Sequence, residues 1–582
     1  MGTPKRCLGS IADGTYLKKL VPDTLLRRPD EIMRLERMGS AFQTRLSFMR
    51  SLTRRMAIEN WEFSKPDIEL DREGRGRVIY SVFTGSRHYS LLAFSHPLDP
   101  MKRSDRVIAH EWDATFNLFD GIPLDKDIER LRGNTPLQEA GRFTASELVL
   151  ARANISERLF NHVANSLAEG RQPDIEMIAD VGYLMRTTAV YGGGKFGCAD
   201  WEKIADRADL GSAFQAEMLA VYLIRLFSLD LVEHMARQKG DVKAVKLALP
   251  IRRFLGIGNA TGLGMAPFLM NHQVLVHQWV LAKEHALAAV RGVDSVSVAQ
   301  VEMLNSVLAK CRVQVSEWQV DDEVQSARIE KLGVDLTALA YHLAASDRFD
   351  VALPVDSIFR WASQHLGLEA QELVVSLLIE PFGELVDNMG ERFNAASEED
   401  VWEPAMRLTQ LNTLIDRHYG WVTQINFQDR EETDRQWVYS EEKLEPRLGP
   451  RADDGVTDSE TEMPLTVGWD VARLREALQM SDLGQSVLQF CALHPRFRHT
   501  IRRIQNAESH PYGEVADNVI AARFRPIDIL RFKLAFFGVS KFDPKSDLWT
   551  RVNMYQGAPF PDELNSHWAD QWTFTCKPGQ ME

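Results

Sequence analysis

From Arg77 to Phe94 the chain carries a period of two. RVIYSVF (Arg77 to Phe83) and HYSLLAF (His88 to Phe94) flank Thr84-Gly85-Ser86-Arg87. Such a pattern commits a segment to a pleated surface, and the glycine-containing connector reads as the turn of a β-hairpin. A third run, RVIAHEWDATFNLFDG (Arg106 to Gly121), is strand-like and ends on a turn signal. Together these predict a small antiparallel sheet from about 76 to 120.

Beyond this segment the periodicity is helical. Thr144 with Glu147 three residues later is a capping-box signal, and LVLARANISERLFNHVANSLAEG then runs to Gly170 as a helix. Further helical patterns cover roughly 174–189, 213–238, 271–290, 296–330, 336–346, 355–368, 370–395 and 399–418. No repeat of 20–50 residues is present, which argues against a solenoid. The expected fold is mainly α: a large multi-helix body with a small antiparallel β-sheet near the N-terminus. The expected divisions are a basic helical arm (1–75), a sheet region (76–140), a helical body (141–428), an acidic linker (429–465) and a C-terminal helical segment with its tail (466–582).

Charge narrows the partners. The net charge is −14 with a pI near 5.6, which disfavours nucleic acid and anionic membranes unless basic residues concentrate locally. Two places show such concentration. The first 60 residues carry twelve Lys/Arg against six Asp/Glu, and the reading is an amphipathic arm with a solvated basic face. HPRFRHTIRRIQ (His494 to Gln505) and ARFRPIDILRFK (Ala522 to Lys533) interleave Arg with Phe. Residues 429–463, with twelve Asp/Glu and five Lys/Arg, offer them a partner within the chain, so nucleic acid is not expected. The five scattered cysteines contain no CxxC pair, which fits a reducing compartment. The N-terminus lacks the apolar core of a signal peptide, and the most apolar stretch, Met218 to Val232, is interrupted by Arg225 and Asp230. The expectation is a cytoplasmic protein, with no membrane partner and with a homo-oligomer open to it.

Two glycine-rich islands interrupt the helical pattern. In RTTAVYGGGKFG (Arg186 to Gly197), Lys195 follows Gly193 and Gly194 directly. Consecutive glycines let a ligand approach peptide N–H groups, and the lysine supplies a charge or a proton-transfer group. The competing reading is a helix cap and tight turn with a solvated lysine. In PIRRFLGIGNATGLGMAPFLMNH (Pro250 to His272), Arg252 and Arg253 precede four glycines that are interleaved with Asn259 and Thr261. Arginine suits bidentate carboxylate or phosphate recognition, and a glycine-rich loop that opens toward a helix offers N–H donors. The competing reading is a packing loop. Asn271 is placed as an N-cap, and His272 in the first turn is held neutral by the helix dipole, as a general base requires.

Other chemistries are poorly supported. Gly256-Ile257-Gly258 does not complete GxGxxG, because residue 261 is Thr261, and GxxxxGK[ST] is absent. Neither HExxH nor GxSxG occurs. His110 alternates away from Glu111 and Asp113, while Asp230/His234 and His277/Glu284 read as ion pairs or exposed charges. No metal site is expected, and no cofactor is identified.

The leading expectation is an enzyme acting on a small anionic metabolite, carboxylate- or phosphate-bearing, by proton transfer of the lyase or isomerase kind. Lys195 and His272 are the proton-transfer candidates. Arg186, Gly193, Gly194, Arg252, Arg253, Asn259, Thr261 and Asn271 are the binding candidates. Spacing does not separate this from a nucleotide-dependent oxidoreductase. The rival from another class is a non-catalytic helical scaffold or ligand-sensing protein.

Overall fold

The computed structural model describes residues 25–97 (except 38 and 41), 112–134, 146–192, 209–210, 214–259, 273–318, 323–345, 349–392, 401–427, 436–440, 446–449, 459–460, 467–516, 535, 538, 541–544, 550–564 and 572–580. Six strands form an antiparallel meander: β1 (Glu62–Leu70), β2 (Gly76–Phe83), β3 (His88–Ser95), β4 (Ala114–Asp120), β5 (Glu147–Ile155) and β6 (Tyr183–Gly192). The short β7 (Gly256–Asn259) then pairs parallel to β6. Three strands, β8 (Gln436–Ser440), β9 (Pro446–Gly449) and β10 (Ser459–Glu460), make a separate small sheet. Finally β11 (Lys541–Pro544) and β12 (Thr550–Met554) return to the first sheet, giving the order β1-β2-β3-β4-β5-β6-β7-β12-β11.

The expected hairpin is present, with Phe83 opposite His88 and Gly85 at φ 86°. The sheet, however, is large and mixed rather than small and antiparallel. Two physical reasons account for the difference. First, the segment after Thr144 is not a helix from its start: ELVLARANI is β5, buried on both faces in the middle of the sheet. A strand covered on both sides has no alternation to distinguish it from a buried helix. Second, 174–189 is a short helix that Gly182 ends at φ 77°, followed by β6. The remaining strands join over long sequence distances, which local patterning does not reveal. Within the acidic stretch the described residues form β8, β9 and β10.

Helices cover both faces of the sheet: Ile128 and Leu131 of Asp125–Asn134 pack with Ile79, Leu92, Phe94 and Phe119, apart from the main core. In chain order the helices are α1 (Phe48–Ile58), α2 (Asp125–Asn134), α3 (Glu157–Ala168), α4 (Ile175–Val181), α5 (Gln215–Gly240), α6 (Leu249–Phe254), α7 (Gln273–Arg291), α8 (Val298–Ser316), α9 (Glu323–Leu343), α10 (Pro354–His365) and α11 (Leu368–Ile379). There follow α12 (Leu408–His418), α13 (Val467–Gln479), α14 (Val487–Leu493) and α15 (Arg498–Ser509), which share a second hydrophobic core of their own. The long α5 lies against the first face of the sheet, with Phe227 edge-on to Phe116 of β4 at 5.4 Å. Its Arg225 is fully buried and donates to three backbone carbonyls: Leu255 (2.8 Å), Ala558 (2.8 Å) and Arg253 (3.0 Å). Burial pushes this guanidinium down to about 10, and no carboxylate among the described residues bonds to it directly.

Four of the N-terminal arginines are not part of a solvated face, whereas Arg28 and Arg34 are exposed. Arg27 bonds Glu284 and Glu372, Arg50 bonds Glu380 through two contacts of 2.6 Å, and Arg45 bonds Asp387. Arg27, Arg45, Arg50 and Arg54 are all buried. The acids of the later helices were spread through the sequence, so their pairing with the arm was not legible as a local pattern.

Candidate functional site

The register between β6 and β7 places the two glycine islands. Arg186 lies opposite Gly258 and Thr187 opposite Asn259, with both strands running the same way. The chain therefore leaves β7 after Asn259 beside the middle of β6, while β6 continues five residues further, to Gly192. At about 3.3 Å per residue the first island departs roughly 16 Å beyond the second. Gly193, Gly194, Lys195, Thr261, Asn271 and His272 lie outside the described residues. For Asn259 the backbone alone is described.

Arg252 and Arg253 stand at the other end of β7, in α6, and each faces an acid. Arg253 pairs with Glu563, and Arg252 reaches Asp230 at 3.5 Å while its guanidinium lies over the Phe560 ring at 4.9 Å. The glycines of β7 answer a packing requirement. A Cβ on Gly258 would come within 2.4 Å of the Tyr183 ring, and one on Gly256 within 2.3 Å of the Asn553 amide oxygen.

The second face of the sheet, away from α5, carries a polar band that the sequence reading did not assemble. Residues two apart on a strand share a face, and residues in direct register share it across strands. Ala114, Phe116 and Leu118 point into the main core, so Thr115 and Asn117 point the other way. Thr115 is opposite Arg152, and Asn154 is opposite Arg186. Just before β4, Asp113 closes the row: its N–H donates to Asn154 Oδ1 at 3.0 Å, and its Oδ2 accepts from the Ile155 N–H at 2.8 Å.

Asp113, Thr115, Asn117, Arg152 and Asn154 are all buried. Arg152 lies over the Trp112 ring at 3.9 Å. His96 Nε2 sits 2.8 Å from Thr115 Oγ1. Burial, reinforced by the Arg132 charge, holds this imidazole below its ordinary pKa. Arg186 is half-buried on the same face and has no carboxylate partner among the described residues. Its neighbour across the strand is Gly258, whose missing side chain makes room for the Tyr183 ring.

A signal for this band was present. In DATFNLF (Asp113 to Phe119) and ARAN (Ala151 to Asn154), polar residues alternate with apolar ones in segments otherwise fit for a core. Among the described residues no group of three His, Cys, Asp or Glu side chains is placed to hold a metal ion, and no helix is long and apolar enough to cross a membrane. No family model, curated protein or solved structure matches the chain.

Proposed function

We propose that the chain is a cytoplasmic enzyme that acts on a small anionic metabolite bearing a carboxylate or phosphate. The metabolite binds on the second face of the sheet beside the carboxyl end of β7. The observation that carries this reading is Arg186: a half-buried guanidinium with no acid facing it among the described residues, in a row of buried hydrogen-bonding side chains. A cation held partly out of water without a counter-charge is costly unless an anion completes it. Arg252 and Arg253 already face Asp230 and Glu563, so the charge for the ligand falls to Arg186.

Position at the carboxyl end of a parallel strand supports the assignment, since that edge of mixed and parallel sheets is where ligands gather. Lys195 and His272 are the proton-transfer groups in this reading, carried by the segments next to β6 and α7. Abstraction or elimination beside a carboxylate or carbonyl is the reaction class that suits a lysine and a neutral imidazole. The acidic balance of the chain, −14 overall, argues for a metabolite rather than nucleic acid as the partner.

The test is turnover of a cell-extract metabolite pool by the full-length protein, followed by mass spectrometry, with Arg186→Met in parallel. The expected result is depletion of one or more anionic metabolites, reduced at least tenfold in the variant. Depletion confined to uncharged compounds, or equal in both proteins, overturns the reading. Retention of an anion without turnover favours the ligand-sensing alternative.

A further inference from the structure

Between α8 and α9 lies a half-open cleft of about 720 Å³. Arg312 of α8 and Glu330 of α9 both line it, and both are exposed. Among the described residues neither side chain forms an ion pair, with the other or with a third group. The Arg312 guanidinium reaches across to the Thr337 hydroxyl of α9, at a long 3.4 Å. Val313, Ile329 and Trp318 give the cleft an apolar lining.

Gly333 lies between Glu330 and Thr337 on the same face of α9 and also lines the cleft, and an added Cβ there would meet nothing within 4 Å. Glycine weakens a helix interior relative to alanine, and here alanine would fit. Packing within the chain therefore gives no reason for the glycine. Bare backbone that faces a cavity suits the close approach of a bound molecule.

We propose that this cleft binds a short zwitterion with an apolar body, a dipeptide, whose carboxylate is held by Arg312 and whose ammonium is held by Glu330. The site shares no residue with the face of the sheet that carries Arg186 and does not rest on the reading given above. Charge selects the ligand class. A guanidinium takes a carboxylate through two parallel hydrogen bonds, and a carboxylate takes an ammonium. A ligand of one sign would satisfy one wall and be repelled by the other. Length selects within the class. Arg312 is held at Thr337, two helical turns from Glu330, which is roughly 10 Å along the axis of α9. The longer glutamate side chain leans toward the N-terminus of α9 and widens that gap. An extended dipeptide has its two charges roughly 6 Å apart, and a hydrogen bond of about 2.8 Å at each end brings its reach to roughly 12 Å. A single α-amino acid reaches only roughly 8 Å by the same sum and falls short. The dipeptide side chains then lie against Val313, Ile329 and Trp318, and its backbone passes over Gly333.

The experiment uses the full-length protein and a panel of apolar dipeptides built from leucine, valine and phenylalanine. Each is offered free, N-acetylated and C-amidated, and affinities are read by calorimetry. The expected result is saturable binding of one or more free dipeptides, weakened at least tenfold by capping either end. Arg312→Met should weaken the free dipeptide to the same extent and remove the further effect of amidation. Glu330→Gln should do the same for acetylation. Gly333→Leu fills the space over the backbone and should weaken binding at least tenfold, with a melting temperature without ligand at or above that of the wild type. No binding of any free dipeptide overturns the inference and leaves Arg312 and Glu330 as solvated surface charges. Affinity that ignores capping, or that is equal in the wild type and both charge variants, overturns it as well. Both charge variants replace exposed side chains, so the test stands on them if Gly333→Leu does not fold.

Discussion

Arg186 stands directly opposite Gly258 in the parallel pairing of β6 with β7, and the space a Cβ on that glycine would need is filled by the Tyr183 ring. The glycine thus sets the fit of β7 against β6 at the position beside the cation.

Gly258→Ala should therefore disturb the site through the sheet. The methyl group meets the Tyr183 ring at 2.4 Å, and overpacking of this kind costs about 1–3 kcal/mol. Gly85→Ala is the control: nothing lies within 4 Å of its Cβ position, and only the strain of φ 86° remains, about 1–2 kcal/mol. Chemical denaturation of both variants should show comparable losses of stability, and ligand affinity should fall for Gly258→Ala alone.

The arm pairs are stabilising only as pairs. Arg50 and Glu380 are buried and joined by two hydrogen bonds of 2.6 Å. Removing one partner leaves the other charged and enclosed, so Glu380→Gln should cost about 3–5 kcal/mol. A urea midpoint unchanged in Glu380→Gln would return the arm to the solvated face that its composition suggests.

Acid should loosen the same region. Burial alone raises the pKa of Glu284, but the charge and hydrogen bonds of Arg27, with help from Lys283, outweigh it and hold the carboxyl below its ordinary 4.5. A carboxylate with a depressed folded pKa adds stability above its unfolded pKa, and that stability is lost as pH falls through the folded value. The stability gap between wild type and Glu284→Gln should therefore be full at neutral pH and shrink steadily below about 4.5. A gap that widens on acidification would contradict the pairing.

How far the sequence disclosed this arrangement depended on whether a signal was local. The Gly85 hairpin, α5 and α7 were legible, since period and turn chemistry sit within a few residues. β5 was not, because every residue from Glu147 to Asn154 is buried and burial does not alternate along it. β7 and β12 are too short to carry a period, and their pairing with each other joins Gly256–Asn259 to Thr550–Met554 across a long stretch of chain. Arg186 was named from its place before the glycine run. Asp113, Thr115 and Asn117 alternate with Ala114, Phe116 and Leu118, a local pattern that marks a strand but does not reveal that Arg152 and Asn154 of β5 share their face.

Lys195 is separable from these structural roles. Lys195→Met keeps the length of the stem and removes the charge. Its melting temperature should stay close to that of the wild type, while turnover falls at least tenfold, about 1.4 kcal/mol. A loss of several degrees with activity intact would make this lysine structural.

The most direct measurement is the affinity of the depleted anionic metabolite for wild type and Arg186→Met, taken with the melting temperature of each protein without ligand. The account predicts binding at least tenfold weaker in the variant, about 1.4 kcal/mol, with melting temperatures that coincide. Equal affinities, or a variant whose weaker binding follows a loss of folding stability, would contradict the assignment of Arg186 as the anion partner.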